Sequence, residues 1–306
     1  MIGPRSRAPT STPVKILMQT TIPTVEDDWS IARFSRLRAH LNGLREPSGA
    51  ATFEVTARDR GPVGVPDPLL SRLDEEDFDA LWLFAVDTGN GLTSADCQGI
   101  ARFRKRGGGI LITRDHMDLG CSICSLGGIG QAHHFHSWNL DPDLSRRAID
   151  DPYTTNILWP NFHSGANGDF QEIAIVEPLH PVLRDPHSSG GRIRFLPSHP
   201  HEGDVDAPKS DPSARVIATG RSKVTGRLFN IAVAFEASED GGRVIAQSTF
   251  HHFADYNWDT AAGKPSFVTE APGSALAHSP EARRSVRQYA ANVAAWLAHR
   301  PSAQEP

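Results

Sequence analysis

Apolar runs of four to eight residues alternate with amphipathic helical stretches through the first third of this 306-residue chain, which predicts an α/β protein. Two further observations refine that class. The run at 80–86 (ALWLFAV) is apolar throughout, as in a strand buried on both faces of a parallel sheet. The opening run at 14–21 (VKILMQTT) ends in small polar residues, as a buried first strand does where a ligand edge follows. The expected architecture is a three-layer sandwich around a mostly parallel sheet.

The elements follow in order. Residues 14–21 (VKILMQTT) form the first strand. Asp27 or Asp28 can N-cap the next helix, where Ile31, Phe34, Leu37, Leu41 and Leu44 recur at three- and four-residue steps over about four turns. Residues 53–57 (FEVTA) are a second strand and 80–86 (ALWLFAV) a third. Residues 94–106 are helical and are stopped by the triple glycine 107–109, after which 110–113 (ILIT) is the fourth strand. This frame puts Thr20, Thr21, Asp87, Thr88, Asp115 and His116 at the carboxyl edge, with Asp115-His116 at the switch point of the sheet.

From His116 to Gln171 the alternation stops. The stretch is rich in Gly, His, Asp and Asn, yet it holds Trp138, Trp159 and Phe162, so it reads as an ordered excursion over the carboxyl ends of the strands. Strand-like runs return at 172–176, 192–196, 214–219, 228–235 and 243–249. A helix at 285–298, with Val286, Tyr289, Val293, Trp296 and Leu297 on one side, closes the chain. The expected organisation is a flexible leader (1–13), one domain (14–300) and a short tail (301–306).

Composition removes several function classes. A formal charge of −5, from 31 basic against 36 acidic residues, gives no basic face for nucleic acid. No apolar stretch is long enough to span a membrane, and the first residues lack the apolar core of a secretory signal. Three cysteines cannot build a disulfide framework, which suits a reducing cytoplasm. The glycines at 127–130 lack the strand-to-helix context and the Lys-Ser/Thr of a phosphate loop.

Histidine is the unusual feature, at 14 residues. Nine of them fall in five short groups: His116, His133-His134-Phe135-His136, Asn161-Phe162-His163, His199-Pro200-His201-Glu202 and His251-His252. All five groups follow strand ends or lie in loops, and loop histidines gathered by a scaffold are how catalytic metal sites are built. Asp115 can orient His116 as a general acid or base, with His252 as a further catalytic candidate. His134 and His136 would share a face of an extended segment. With His201, Glu202 and His251 they are the candidate ligands of a divalent metal, zinc being the most plausible. His163, Asn161 and Trp138 are candidates for holding the substrate, the indole as a stacking surface. Cys121-x-x-Cys124 lacks a second pair for a zinc ribbon, but Cys121 could act as a thiolate with a histidine base.

The opening KILMQTT strand and residues 79–116 (DALWLFAVDTGNGLTSADCQGIARFRKRGGGILITRDH) resemble ThuA-like proteins of the class I glutamine amidotransferase-like fold. Leu179-His180-Pro181 and the late strand from Gly242-Arg243-Val244 to His251-His252 extend the likeness over residues 14–255. The resemblance implies a flavodoxin-like sandwich and a role in carbohydrate metabolism. The chain departs from a glutamine amidotransferase at one decisive place. The turn after the fourth strand, where Gly-x-Cys-x-Gly would put the nucleophile, reads Arg114-Asp115-His116. Glutaminase chemistry is therefore not expected.

Three functions are compatible with these residues. The leading one is an enzyme that hydrolyses, hydrates or isomerises a small polar, carbohydrate-derived substrate, with metal assistance. The others are a Cys121-dependent hydrolase or amidase, and a non-catalytic binding or scaffold protein. A homo-oligomer is compatible with each.

Overall fold

The structure is a computed structural model that describes residues 12–144, 147–150, 154 and 156–299. The expected leader, apart from residues 12 and 13, and the whole expected tail lie outside them, as do six positions of the excursion. The chain begins with β1 (Val14–Thr20), α1 (Ser35–Gly43), β2 (Phe53–Arg58), β3 (Ala80–Phe84), α2 (Ser94–Lys105) and β4 (Gly109–Thr113). It continues through β5 (Phe170–Glu172), β6 (Ala174–Ile175), β7 (Phe195–Pro197), β8 (Ala214–Arg221), β9 (Leu228–Phe235) and β10 (Val244–Gln247). The helices α3 (Asp255–Trp258), α4 (Ala275–His278) and α5 (Pro280–Leu297) complete it.

Eight strands form one sheet in the order β2-β1-β3-β4-β10-β9-β8-β6. The first five run parallel, and β9, β8 and β6 extend the sheet antiparallel. The protein is thus a mostly parallel, flavodoxin-like α/β sandwich. Alternation along β3 shows how its two cores arise: Ala80, Trp82 and Phe84 face one, Leu81 and Leu83 the other. Leu37 and Leu41 of α1 and Tyr289, Val293 and Trp296 of α5 pack the first core; Ile100 and Phe103 of α2 pack the second. Each large side chain so buried contributes roughly 1.5–3 kcal/mol.

Four expectations need correction. The run at 172–176 is two strands in different sheets: β5 pairs with β7 in a small two-stranded sheet, while β6 joins the edge of the large one. The helix after β1 has no side-chain cap from Asp27 or Asp28; a short 3-10 turn at Ile31–Phe34 precedes it. Its first amides are met instead by Asp255, whose carboxylate accepts from Ser35 N (3.0 Å), Ser35 Oγ (2.6 Å) and Arg36 N (2.8 Å). Finally, strand order reverses between β1 and β3, whereas Asp115 follows β4, so it does not lie at the switch point. The closing helix also starts earlier than expected, with Ser279 accepting from Ala282 N as its cap and Pro280 in the first turn.

A candidate metal centre at the ends of β4 and β10

Because β4 and β10 are parallel neighbours, with Thr113 opposite Gln247, the residues that follow them emerge side by side. Asp115 comes from one and His251 from the other. The join is made by Thr249, whose hydroxyl donates to Asp115 Oδ1 (2.8 Å) and accepts from His251 N (3.1 Å), capping the turn Phe250–His252. The third member, His199, follows β7 of the small sheet. Its segment comes close because residue 203 is glycine: a Cβ there would meet Ser248 O at 2.5 Å and Asp115 O at 2.7 Å.

Ligand atoms of Asp115, His199 and His251 lie within 4.8 Å of one another, and all three residues are buried. His199 Nε2 and His251 Nε2 stand 3.4 and 3.5 Å from Asp115 Oδ2. Their rings are nearly parallel, with centroids 3.5 Å apart. Asp115 Oδ2 and His199 Nε2 have no hydrogen-bond partner. The spacing suits ligands of one ion, since a tetrahedral centre with bonds near 2.1 Å separates its ligands by roughly 3.4 Å. Asp59 and Asp87, at the ends of neighbouring strands, differ in kind. Asp59 accepts from Thr20, Thr24 and Ile31, and Asp87 accepts from Gly89 and Ser122. Those two carboxylates bind the loops together, whereas Asp115 turns Oδ2 to imidazole nitrogens alone.

Outside the cluster, His199 Nδ1 lies 2.9 Å from Asn167 Oδ1 and His251 Nδ1 lies 3.0 Å from Asn257 Oδ1. His116 approaches Asp115 Oδ2 at 3.5 Å from a third direction, and its side chain is 19% exposed against 1–6% for the other three. Burial opposes the charge on Asp115, but His199, His116 and His251 together outweigh it and hold the carboxyl well below its usual range. Burial drives His199 well below the usual imidazole value and brings His116 to about 4, in both cases against the pull of Asp115.

The other expected residues fall into neighbouring groups. His252 points away from His251, into a buried network. Its Nδ1 accepts from Gln247 Nε2 (2.7 Å), and its Nε2 faces Glu202 Oε1 (3.4 Å). Glu202 also accepts from Ser164 and Gln171. His201 lies between Asn161 Oδ1 and Glu270 Oε1, both at 3.2 Å, with its ring 5.7 Å from those of His116 and His199. His134 faces Asp141 at 3.9 Å, and His136 is exposed beside Ser137. His163 is half-buried, and its carbonyl accepts from Lys223 N. Trp138 is 55% exposed and lies against Gly89, in the loop after β3. Among the described residues, only Asp115, His199 and His251 make a group of three candidate ligands; of the expected ligands it includes His251 alone. His199 was visible in the His-Pro-His-Glu group, but nothing in the sequence ranks it above His201.

Cys121 is fully buried, and burial, with Asp87 and Asp118 nearby, pushes its thiol up to about 12. A thiol in that state is a poor nucleophile at neutral pH. Among the described residues no helix is long and apolar enough to cross a membrane.

The fold and the cluster together define a class: a flavodoxin-like α/β protein with two imidazoles and a carboxylate at the carboxyl edge of its sheet. The chain is similar to a crystal structure provisionally described as a thua-like protein of Parabacteroides merdae ATCC 43184, at 14% identity and a TM-score of 0.46, covering 86% of this chain and 96% of that one. It is also similar to Agd3, described as a novel carbohydrate deacetylase, at 12% identity and a TM-score of 0.42. That match covers 82% of this chain but 30% of the other. A third similar structure is the mmIFT52 N-terminal domain, at 13% identity and a TM-score of 0.41, covering 79% and 88%. No family model matches the chain, and neither does any curated protein.

Proposed function

We propose that this protein is an enzyme that acts on a small polar, carbohydrate-derived substrate through a divalent cation, zinc in the first instance, held by Asp115, His199 and His251. The observation that carries the metal part is the convergence of three buried ligand atoms within 4.8 Å, two of which, Asp115 Oδ2 and His199 Nε2, have no other partner. A buried carboxylate oxygen left in that state is costly unless something positive meets it. The substrate class rests on the resemblance of residues 14–255 to ThuA-like proteins.

Three protein ligands leave open positions, the arrangement of catalytic rather than structural zinc. A cation there supplies Lewis acidity, making water a nucleophile near neutral pH and polarising a carbonyl. Hydrolysis or hydration follows more directly from that than isomerisation does. The chain's own residues do the rest. Thr249 holds Asp115 in place through Oδ1, and the exposure of His116 on the open flank supports a role for it in taking and returning a proton. His201 and Glu270 beside it can meet substrate hydroxyls. Three free cysteines suit a cytoplasmic setting.

Calorimetric titration of chelator-stripped protein with Zn2+ tests this. The wild type is expected to bind about one equivalent, and Asp115→Asn to weaken binding by at least roughly tenfold. A stripped wild type that takes up no stoichiometric metal ends the proposal.

A further inference from the structure

We infer that Asn167 and Asn257 are positioning residues that fix the tautomers of both candidate ligand imidazoles, and that a single backbone carbonyl, Ser198 O, decides the outcome. This inference rests on the metal-site proposal and deepens it. The deduction starts from a group with no choice of role. A carbonyl oxygen can only accept, so Asn257 Nδ2, 2.9 Å from Ser198 O, is a true amide nitrogen in that place. That settles which way the Asn257 amide lies. Its Oδ1 must therefore face His251 Nδ1, 3.0 Å away, and an amide oxygen requires Nδ1 to carry the proton. The same Asn257 Nδ2 donates to Asn167 Oδ1 (2.8 Å), which settles the second amide. Asn167 Oδ1 lies 2.9 Å from His199 Nδ1, so that nitrogen also carries its proton.

Neutral imidazole has one proton to place. With Nδ1 protonated in both rings, each Nε2 presents a lone pair, and both lone pairs point at Asp115 Oδ2 from 3.4 and 3.5 Å. Three electron-rich atoms facing one another in a buried space repel; His116 Nε2, 3.5 Å from the same oxygen, can offer a proton to Asp115 alone, whereas a cation among the three atoms meets both lone pairs and the carboxylate together. The opposite tautomers would place an N–H against the carboxylate and satisfy the cluster internally, with no need of an ion. The amide pair therefore separates a metal site from a self-contained histidine–aspartate cluster. It also couples the two ligands, because Asn257 touches His251 directly and reaches His199 through Asn167. All four side chains are buried, so water does not readily replace a lost bond.

Nitrogen-15 NMR of the chelator-stripped wild type reads the tautomers directly, and Co2+ or Zn2+ titration reads affinity. The expected result is an Nδ1–H, bare-Nε2 pattern for both His199 and His251. In Asn257→Ala both rings should lose that fixed pattern, and metal affinity should fall by roughly 10–100-fold, the usual cost of removing an outer partner of a ligand histidine. Asn167→Ala should release His199 more than His251, a split that general destabilisation would not produce. An Nε2–H signal from either ring in the wild type overturns the inference, as does an Asn257→Ala protein with unchanged tautomers and affinity. The wild-type spectrum needs no variant to fold. A wild type with the expected tautomers but no metal uptake would end the metal proposal and leave the positioning role standing.

Discussion

At the scale of single residues, what distinguishes the carboxylates of this protein is whether both oxygens are used. Asp67 is fully buried, and Arg58 grips it in two-pronged fashion at 2.7 and 3.0 Å while Gly61, Leu69 and Leu70 donate backbone N–H groups to it. Burial alone would raise its pKa, but the Arg58 guanidinium and those amides reverse that and bring it down to about 2. A carboxyl whose folded pKa lies below its unfolded value of 3.8 stabilises the fold above that value, and the contribution fades as pH falls toward 2. The difference is worth about 2 kcal/mol. Denaturant titrations at pH 5 and pH 2.5 should therefore show a smaller acid loss in Asp67→Asn than in the wild type; equal losses would assign acid sensitivity elsewhere. Asp115 is the contrasting case, with Oδ1 held by Thr249 and Oδ2 left to face three imidazoles.

At the scale of elements, distant carboxylates do work that local sequence was expected to do. The start of α1 is capped by Asp255, 220 residues away, which ties that helix to the turn carrying His251 and His252. Removing a capping side chain costs roughly 0.5–2 kcal/mol, and the dipole of the helix adds to this when the cap is charged. Asp255→Ala should therefore lower stability by about 1–2 kcal/mol in urea, with Asp255→Asn recovering part of it because an amide oxygen still accepts. If Asp255→Ala matches the wild type, the cap is not a stabilising link. Elements were legible wherever periodicity was strong. The apolar runs of β1, β3, β4 and β9 and the stripe of α5 match the structure closely. The run at 172–176 reads as one strand because adjacent short segments joining different sheets look the same in sequence as a single strand.

At the scale of the whole molecule, the candidate site is assembled from three separated lengths of chain: Asp115 after β4, His199 after β7 and His251 after β10. A cation bridging them stabilises the folded state and not the unfolded one. Its effect follows mass action, roughly 2.7 kcal/mol at a hundredfold excess over Kd. Thermal unfolding should accordingly shift upward with added Zn2+ and downward with chelator, and His199→Ala should abolish the dependence on Zn2+. A midpoint indifferent to metal in the wild type would contradict bridging.

Hydrophobic periodicity along the chain was enough for the α/β class and the mostly parallel sheet, because it is local and each run reports its own burial. The sequence also pointed to the strand ends as the place of a candidate site, through Asp115, His116 and the His-rich groups. Only the tertiary structure decided which histidines meet. His199 and His201 are two residues apart, and His251 and His252 are adjacent, yet one of each pair turns to Asp115 and the other to a different carboxylate. That sorting depends on where β7 and β10 end relative to β4, on a glycine at 203 that permits close approach, and on two asparagines with no signature in the chain. Side-chain direction at a loop is set by the partners that packing brings near, and those partners are distant in sequence.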